Sequence, residues 1–362
     1  MITDILEKLV RKEDLSSAEA GGVMGRIMQG EVADLQVAAY MIALCCKGES
    51  AAEILGSCRA MGDRSVKIRV NKAPLLDTCG TGGDGKGTFN ISTVSAFVAA
   101  GAGVTVAKHG NRAVSGRCGS ADLCEALGIN IELSAAELEL CLHETGLAFL
   151  YAPLLHPAMA HVAPVRKALG LRTIFNIIGP LSNPAGAKRQ LLGVYAAGLA
   201  EKMAEALAAL GSEHALVVAG GDGLDEITLT AETKVCEVKN GRWRSYVILP
   251  EDFGFTRVSL DLLRGGDAAA AARSCVALLR GKRGPKRDVV LLNAGAALYV
   301  AGMAGSIKEG IALAEASIDS GAALAKLRAV ARFSLRRREN GGLAQGRRAG
   351  ASKGGKDPCL KR

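Results

Sequence analysis

The chain has 362 residues, 49% of them hydrophobic, and a formal net charge of +9. It contains no uncharged run of some eighteen apolar residues, which excludes an apolar membrane-spanning helix. The start, MITDILEKLVRKEDL, lacks the apolar centre of a secretory signal, so a cytoplasmic protein is expected. Residues 335–362 hold nine basic and two acidic side chains. They therefore carry +7 of the charge and leave +2 for the rest of the chain. A body so close to neutral is not the basic surface of a nucleic-acid-binding domain.

Residues 1–70 read as a small helical domain. Ile2, Ile5, Leu6 and Leu9 share one helical face, Asp14 with Ser16 and Ser17 marks a boundary, and further helices are expected at 18–28, 34–46 and 50–61. Residues 66–74 form a connection. From Leu75 the pattern changes to alternating strands and helices, with strands expected at 104–108, 147–151, 191–195, 215–219 and 235–238. Helices are expected at 121–127 (capped by Ser120), 135–144, 157–169 (bent at Pro164) and 199–210. Four more follow at 267–279, 288–301, 306–319 and 322–333. The expected fold is α/β: a small N-terminal helical domain, with helices near 165–190 as a further junction. A large domain over 75–334 follows, with a mainly parallel central sheet flanked by helices. Residues 335–362, glycine-rich and basic, are expected to be a disordered tail.

Residues 77–93, DTCGTGGDGKGTFNIST, stand out. Gly80, Gly82, Gly83, Gly85 and Gly87 lie between a short apolar run and the small apolar helix that begins near Val94. Glycines let backbone N–H groups approach an anion, and the following helix offers unpaired N–H groups at its positive end. This is a phosphate-binding loop. It is not a Walker A loop, because Lys86 is followed by Gly87, and it lacks an acidic residue placed for a dinucleotide ribose. Asp84 within the loop suits a sugar hydroxyl or a metal ion better than bare phosphate. Asn90, Ser92 and Thr93 can cap the helix, bind a ligand, or both.

A second anion site is expected at residues 108–122, KHGNRAVSGRCGSAD, where Lys108, His109, Asn111, Arg112 and Arg117 mix with small hydrogen-bonding residues at another strand-to-helix turn. Two such sites at strand ends of one sheet suit a ligand with two separated phosphates. Asp225 and Glu226, after the turn GGDGL, suit magnesium, which takes carboxylates, phosphates and water. Arg166 can pair with a carboxylate. The ten cysteines form no CxxC pair and the five histidines are dispersed. Reduced thiols and no transition-metal centre are expected.

These motifs together resemble the anthranilate phosphoribosyltransferases of tryptophan biosynthesis. The shared segments are GTGGDG (80–85), NIST (90–93), KHGNRAVS (108–115), GSAD (119–122), NIIGPLSNPA (176–185) and GLDE (223–226), and the likeness runs to about Phe333. The resemblance implies a homodimer that transfers the phosphoribosyl group of 5-phosphoribosyl 1-diphosphate (PRPP) to the amine of anthranilate. It places the donor on Gly80, Gly83, Asp84, Thr88, Asn90, Ile91, Ser92 and Thr93, and on Lys108, His109, Gly110, Asn111, Arg112, Ala113, Val114, Ser115, Gly116 and Ser120. It places anthranilate on Gly80, Asn111 and Arg166, and two magnesium ions on Ser92, Asp225 and Glu226. Gly116 stands where the family usually has a second serine, Arg117 where it has lysine, and Cys118 where it has a small polar residue. Cys124 interrupts the usual VLEAL of the next helix.

Anthranilate carries a weakly basic aromatic amine, so no single acid or base is required. Lys108, Arg166 and magnesium would stabilise the charge that builds as diphosphate departs. A pyrimidine nucleoside phosphorylase and a nucleic-acid-binding relative of the same fold are the alternatives. Arg166 argues against the first, and the near-neutral body against the second.

Overall fold

The computed structural model of the chain describes residues 2–70, 74–113 and 118–345. Four helices open it: α1 (Ile2–Val10), α2 (Ser17–Met28), α3 (Asp34–Lys47) and α4 (Ala51–Asp63). Ser16 and Ser50 cap α2 and α4 through complete capping boxes with Glu19 and Glu53. Glu53 is buried. It accepts hydrogen bonds from the Leu15 and Ser50 amides and pairs with Lys47 at 3.0 Å, which joins α3, α4 and the turn before α2.

The large part then runs β1 (Leu75–Gly80), α5 (Ile91–Gly101), β2 (Thr105–Gly110), α6 (Ser120–Ala126), α7 (Ala135–Thr145) and β3 (Leu147–Tyr151). After the short α8 (Ala152–Leu155) come α9 (Ala163–Leu169), α10 (Ile174–Leu181), β4 (Arg189–Gly193), α11 (Ala197–Ala209) and β5 (His214–Gly220). The hairpin β6 (Thr233–Lys239) and β7 (Arg242–Ile248) precedes α12 (Ala268–Leu279), α13 (Pro285–Ala301), α14 (Ile307–Asp319) and α15 (Ala322–Gln345).

One seven-stranded sheet has the order β3-β2-β1-β4-β5-β6-β7. The first five strands in that order are parallel, and β6 and β7 complete it antiparallel. Its faces belong to different cores, as the two-residue period of a strand requires. On β4 and β5, Leu191, Leu216 and Val218 join the core formed with α5, α13 and the other C-terminal helices. Leu192, Ala215, Val217 and Ala219 face α10, α11 and the four N-terminal helices. The helical domain is thus packed on one sheet face, and α9 and α10 are part of that packing.

The differences from the sequence reading are local. Residues 157–161 form a 3-10 turn, and the break falls at Val162, with Pro164 in the first turn of α9. Pro lacks an N–H and fits that position, where none is needed. Gly119, not Ser120, is the N-cap of α6. Strand β6 is antiparallel and β7 was not anticipated, while α10 lies within the stretch 165–190 where helices were expected. The last helix continues to Gln345, past the expected end at Phe333; residues 346–362 lie outside the described part. Among the described residues no helix is long and apolar enough to cross a membrane.

Candidate active site

The parallel strands β1, β2 and β4 end together, and register sets Gly80 opposite Gly193. The acidic turn 222–226 enters the slot these glycines leave. A Cβ on Gly80 would lie 2.6 Å from Asp225 Oδ2, and one on Gly193 would lie 1.6 Å from the Asp225 carbonyl oxygen. At Gly193 no larger residue leaves room for this approach, and at Gly80 one would push the Asp225 carboxylate aside. Buried Asn293 on α13 fixes the turn from behind: its side chain accepts from the Ile227 amide and donates to the Ile227 carbonyl.

The glycine-rich loop folds over the turn. The Gly82 amide donates to Asp225 Oδ2 at 2.7 Å, and the Ser92 amide, in the first turn of α5, donates to Glu226 Oε1 at 3.0 Å. Gly82, Gly83, Gly85 and Gly87 all have φ between +65° and +71°, a conformation open to glycine and costly to other residues. The loop's far end is pinned by Phe89 N to Leu263 O and Gly265 N to Gly87 O, beside an isolated bridge between Thr88 and Arg264. Asp84 accepts from the Lys86 amide.

Lys108, buried at the end of β2, donates to the Thr78 carbonyl and lies 3.3 Å from Ser92 Oγ. Asp77 is buried beneath it. Its carboxylate accepts from the His109 amide and from Asn183 Nδ2, which also donates to the Ala107 carbonyl. Burial raises the Asp77 pKa against the opposing pull of Lys108. Burial, reinforced by Asp84, pushes Asp225 up to about 7. Burial, reinforced by Asp225, pushes Glu226 well above the carboxylate range although Lys108 opposes it. Acids crowded in this way are relieved by a divalent cation. Among the described residues no three acid, Cys or His side chains form a ready-made cage. The neighbouring carboxylates of Asp225 and Glu226 fit magnesium, which takes carboxylate oxygens and shares its shell with phosphate and water.

The second loop is tied to the first. Asn90 is the N-cap of α5, yet its side chain makes no capping bond: Asn90 Nδ2 donates to the Cys118 carbonyl at 3.0 Å. The Ser120 hydroxyl donates to the Asn111 carbonyl and accepts from its amide, and Asp122 holds the amides of Ala113 and Gly119. Arg112 turns away, with its guanidinium on Asp122 and Glu125 and against the Tyr151 hydroxyl. Gly110 ends β2, where a Cβ would strike Ser120 Oγ and the Phe149 ring. Ile91 and Thr93 are buried in α5, and Thr93 Oγ1 has no partner among the described residues. Val114, Ser115, Gly116 and Arg117 lie outside the described residues. Cys124 is a core side chain, its thiol pushed up to about 12 by burial.

Half-buried Arg166 sits 5.5 Å from the Phe175 ring, and burial lowers its pKa. His109 and His156 face each other with ring centroids 5.1 Å apart, and burial holds them neutral, with pKa values lowered to about 3 and about 4. Neither His109 Nε2 nor the ring nitrogens of His156 have a hydrogen-bond partner among the described residues. Sequence reasoning passed over His156, Asp77, Asn183, Gly193 and Asn293. Of these, Asn183 carried a faint signal, since it lies inside NIIGPLSNPA.

Residues 72–324 match the model of the glycosyl transferase family α/β domain, and residues 3–65 match that family's helical bundle domain. An anthranilate phosphoribosyltransferase of Rubrobacter xylanophilus is 53% identical over 337 residues, 93% of this chain and 98% of the relative. Among solved structures, the anthranilate phosphoribosyltransferase of Thermus thermophilus superposes with a TM-score of 0.86 at 46% identity, over 91% of this chain and 98% of the other. The Saccharomyces cerevisiae anthranilate phosphoribosyltransferase, solved in complex with PRPP and Mg, gives 0.84 at 29% identity, over 92% and 98%. The chain belongs to the glycosyl transferase family and, within it, to the anthranilate phosphoribosyltransferases.

Proposed function

We propose that the cleft at the ends of β1, β2 and β4 transfers the phosphoribosyl group of PRPP to the amine of anthranilate. Diphosphate is released, in the second step of tryptophan synthesis from chorismate. The amides of the loop 80–87 and of the start of α5 receive the donor's diphosphate, and the 108–120 loop with Ser120 receives its other phosphate. Asn111 and Arg166 orient anthranilate, with Arg166 taking its carboxylate, so that the amine faces the anomeric carbon. Ser92, Asp225 and Glu226 hold Mg2+, at two ions per subunit, and the metal neutralises charge on the departing diphosphate. Lys108 adds a fixed positive charge without moving a proton. The enzyme works as a cytoplasmic homodimer.

The observation that best supports this reading is Asp225 seated between two strand-ending glycines, with Asp225 and Glu226 bonded to the Gly82 and Ser92 amides of the expected donor segment. Anthranilate fluorescence tests it. Folded protein should extinguish the fluorescence when PRPP and Mg2+ are added, and persistence of the signal contradicts the reading. Light scattering that gives a monomer's mass removes the dimer from the proposal.

A further inference from the structure

Two of the cations expected in the donor site are committed within the protein. Lys108 is buried and bonded to Thr78 and Ser92, and the Arg112 guanidinium is held by Asp122 and Glu125. Lys86 lies on the flank of the loop nearer the acidic turn, its Nζ 3.4 Å from where a Cβ on Gly223 would sit. Arg172 occupies the other flank. It is exposed, in the link between α9 and α10. Its Nε lies 3.1 Å from the position of a Cβ on Gly83, at the tip of the glycine-rich loop. Its guanidinium rests over the Tyr195 ring, 4.4 Å from the centroid. No hydrogen bond or ion pair joins that guanidinium to another described residue.

The backbone around Arg172 is anchored while its head group is not. Its carbonyl faces the Cys45 thiol of α3 at 3.7 Å. Tyr195 is set by its own amide, which donates to Thr81 Oγ1 at 3.3 Å, at the start of the same loop. A planar guanidinium stacked on an aromatic ring keeps its N–H edge in the ring plane's direction and available for an oxyanion. The geometry points to Arg172 as a diphosphate-binding residue of the donor site, closing over the loop at Gly83, with Tyr195 as the residue that positions it. This inference rests on the proposed donor and extends it to a side chain outside the segments that carry the resemblance.

The test is steady-state kinetics of Arg172→Ala, Arg172→Lys, Tyr195→Ala and Arg166→Ala, with each substrate varied in turn. A charge-assisted hydrogen bond to an oxyanion corresponds to a loss of about ten-fold to a hundred-fold. Arg172→Ala should raise KM for PRPP by at least about ten-fold and leave KM for anthranilate within about two-fold. Arg172→Lys should recover part of the loss, and Tyr195→Ala should raise the donor KM by a smaller factor. Arg166→Ala should show the opposite split, with the change in the anthranilate KM. A donor KM unchanged in Arg172→Ala, or a rise confined to anthranilate, overturns the assignment. Wild-type protein without turnover in the same assay sinks the transferase reading instead, so the two failures are distinct. Melting temperatures equal to wild type establish that the exposed substitutions leave the fold intact.

Discussion

Gly80 and Gly193 face each other across β1 and β4 and grip the same residue by different atoms, so one methyl group on each should have separable effects. At Gly193 the new Cβ would lie 1.6 Å from the Asp225 carbonyl oxygen and 2.4 Å from its carbonyl carbon. Ordinary contact begins near 3.4 Å, so backbone must yield by almost 2 Å. Overpacking of this kind costs about 1–3 kcal/mol, and each kcal/mol shifts the melting temperature by about 2–4 °C in a domain of 150–250 residues. Gly193→Ala should therefore melt several degrees below wild type. It should also lose about a hundred-fold in kcat, because a displacement of about 1 Å in a reacting constellation has that effect. At Gly80 the Cβ would meet Asp225 Oδ2 at 2.6 Å, the end of a side chain that can rotate. Gly80→Ala should keep most of its thermal stability while losing activity to a similar extent. Calorimetric melting and initial rates at saturating Mg2+ decide the matter. Wild-type activity in both variants, or equal loss of stability in both, would refute the slot geometry.

Two further predictions concern charge. His109 and His156 have folded pKa values near 3 and near 4 against an ordinary value of 6.5. The unfolded chain therefore binds more protons between those limits, and the stability these residues supply is present above about pH 6.5 and lost as pH falls below it. Melting temperature should drop between pH 7 and pH 5, at up to about 1.4 kcal/mol per pH unit for each proton, and His156→Asn should flatten the slope; an unchanged slope contradicts the buried neutral pair. Asp225 has its pKa raised to about 7, so in chelated, metal-free protein its contribution to stability is lost as pH rises through about 7. Asp225→Asn should gain on wild type by an amount on the order of 1 kcal/mol between pH 6 and pH 8, and a constant difference across that range would argue against the crowding of acids.

The site was legible in the sequence wherever chemistry is written in a contiguous run. The glycines at 80–87, the cations at 108–112 and the acids at 225–226 are each local, and their common location followed from strand–helix alternation and the rule that ligands gather at strand ends. What the sequence hid depends on pairing across the chain. Gly193 becomes informative only when register sets it against Gly80, and Asn293 only when α13 packs behind the acidic turn. The pairing of Arg112 with Asp122 and Glu125 could not be read, because these acids approach it only once α6 is folded. Asn90 looked like a cap until its amide was found on the Cys118 carbonyl. The hairpin β6–β7 was half visible because β7 (Arg242–Ile248) is an exposed edge strand with little apolar alternation. The N-terminal helices were the easiest to read, since Ser16 and Ser50 with glutamate three residues later mark helix starts directly.

The central claim is that donor, acceptor and metal meet at the acidic slot, and the most direct measurement follows anthranilate fluorescence with the components added one at a time. Fluorescence should stay constant with PRPP alone in chelator, fall when Mg2+ is added, and leave a product with the mass of N-(5-phosphoribosyl)anthranilate. Glu226→Gln, folded and under the same conditions, should slow the fall at least about ten-fold. A signal lost equally fast in chelator, or a Glu226→Gln rate equal to wild type, would contradict the account.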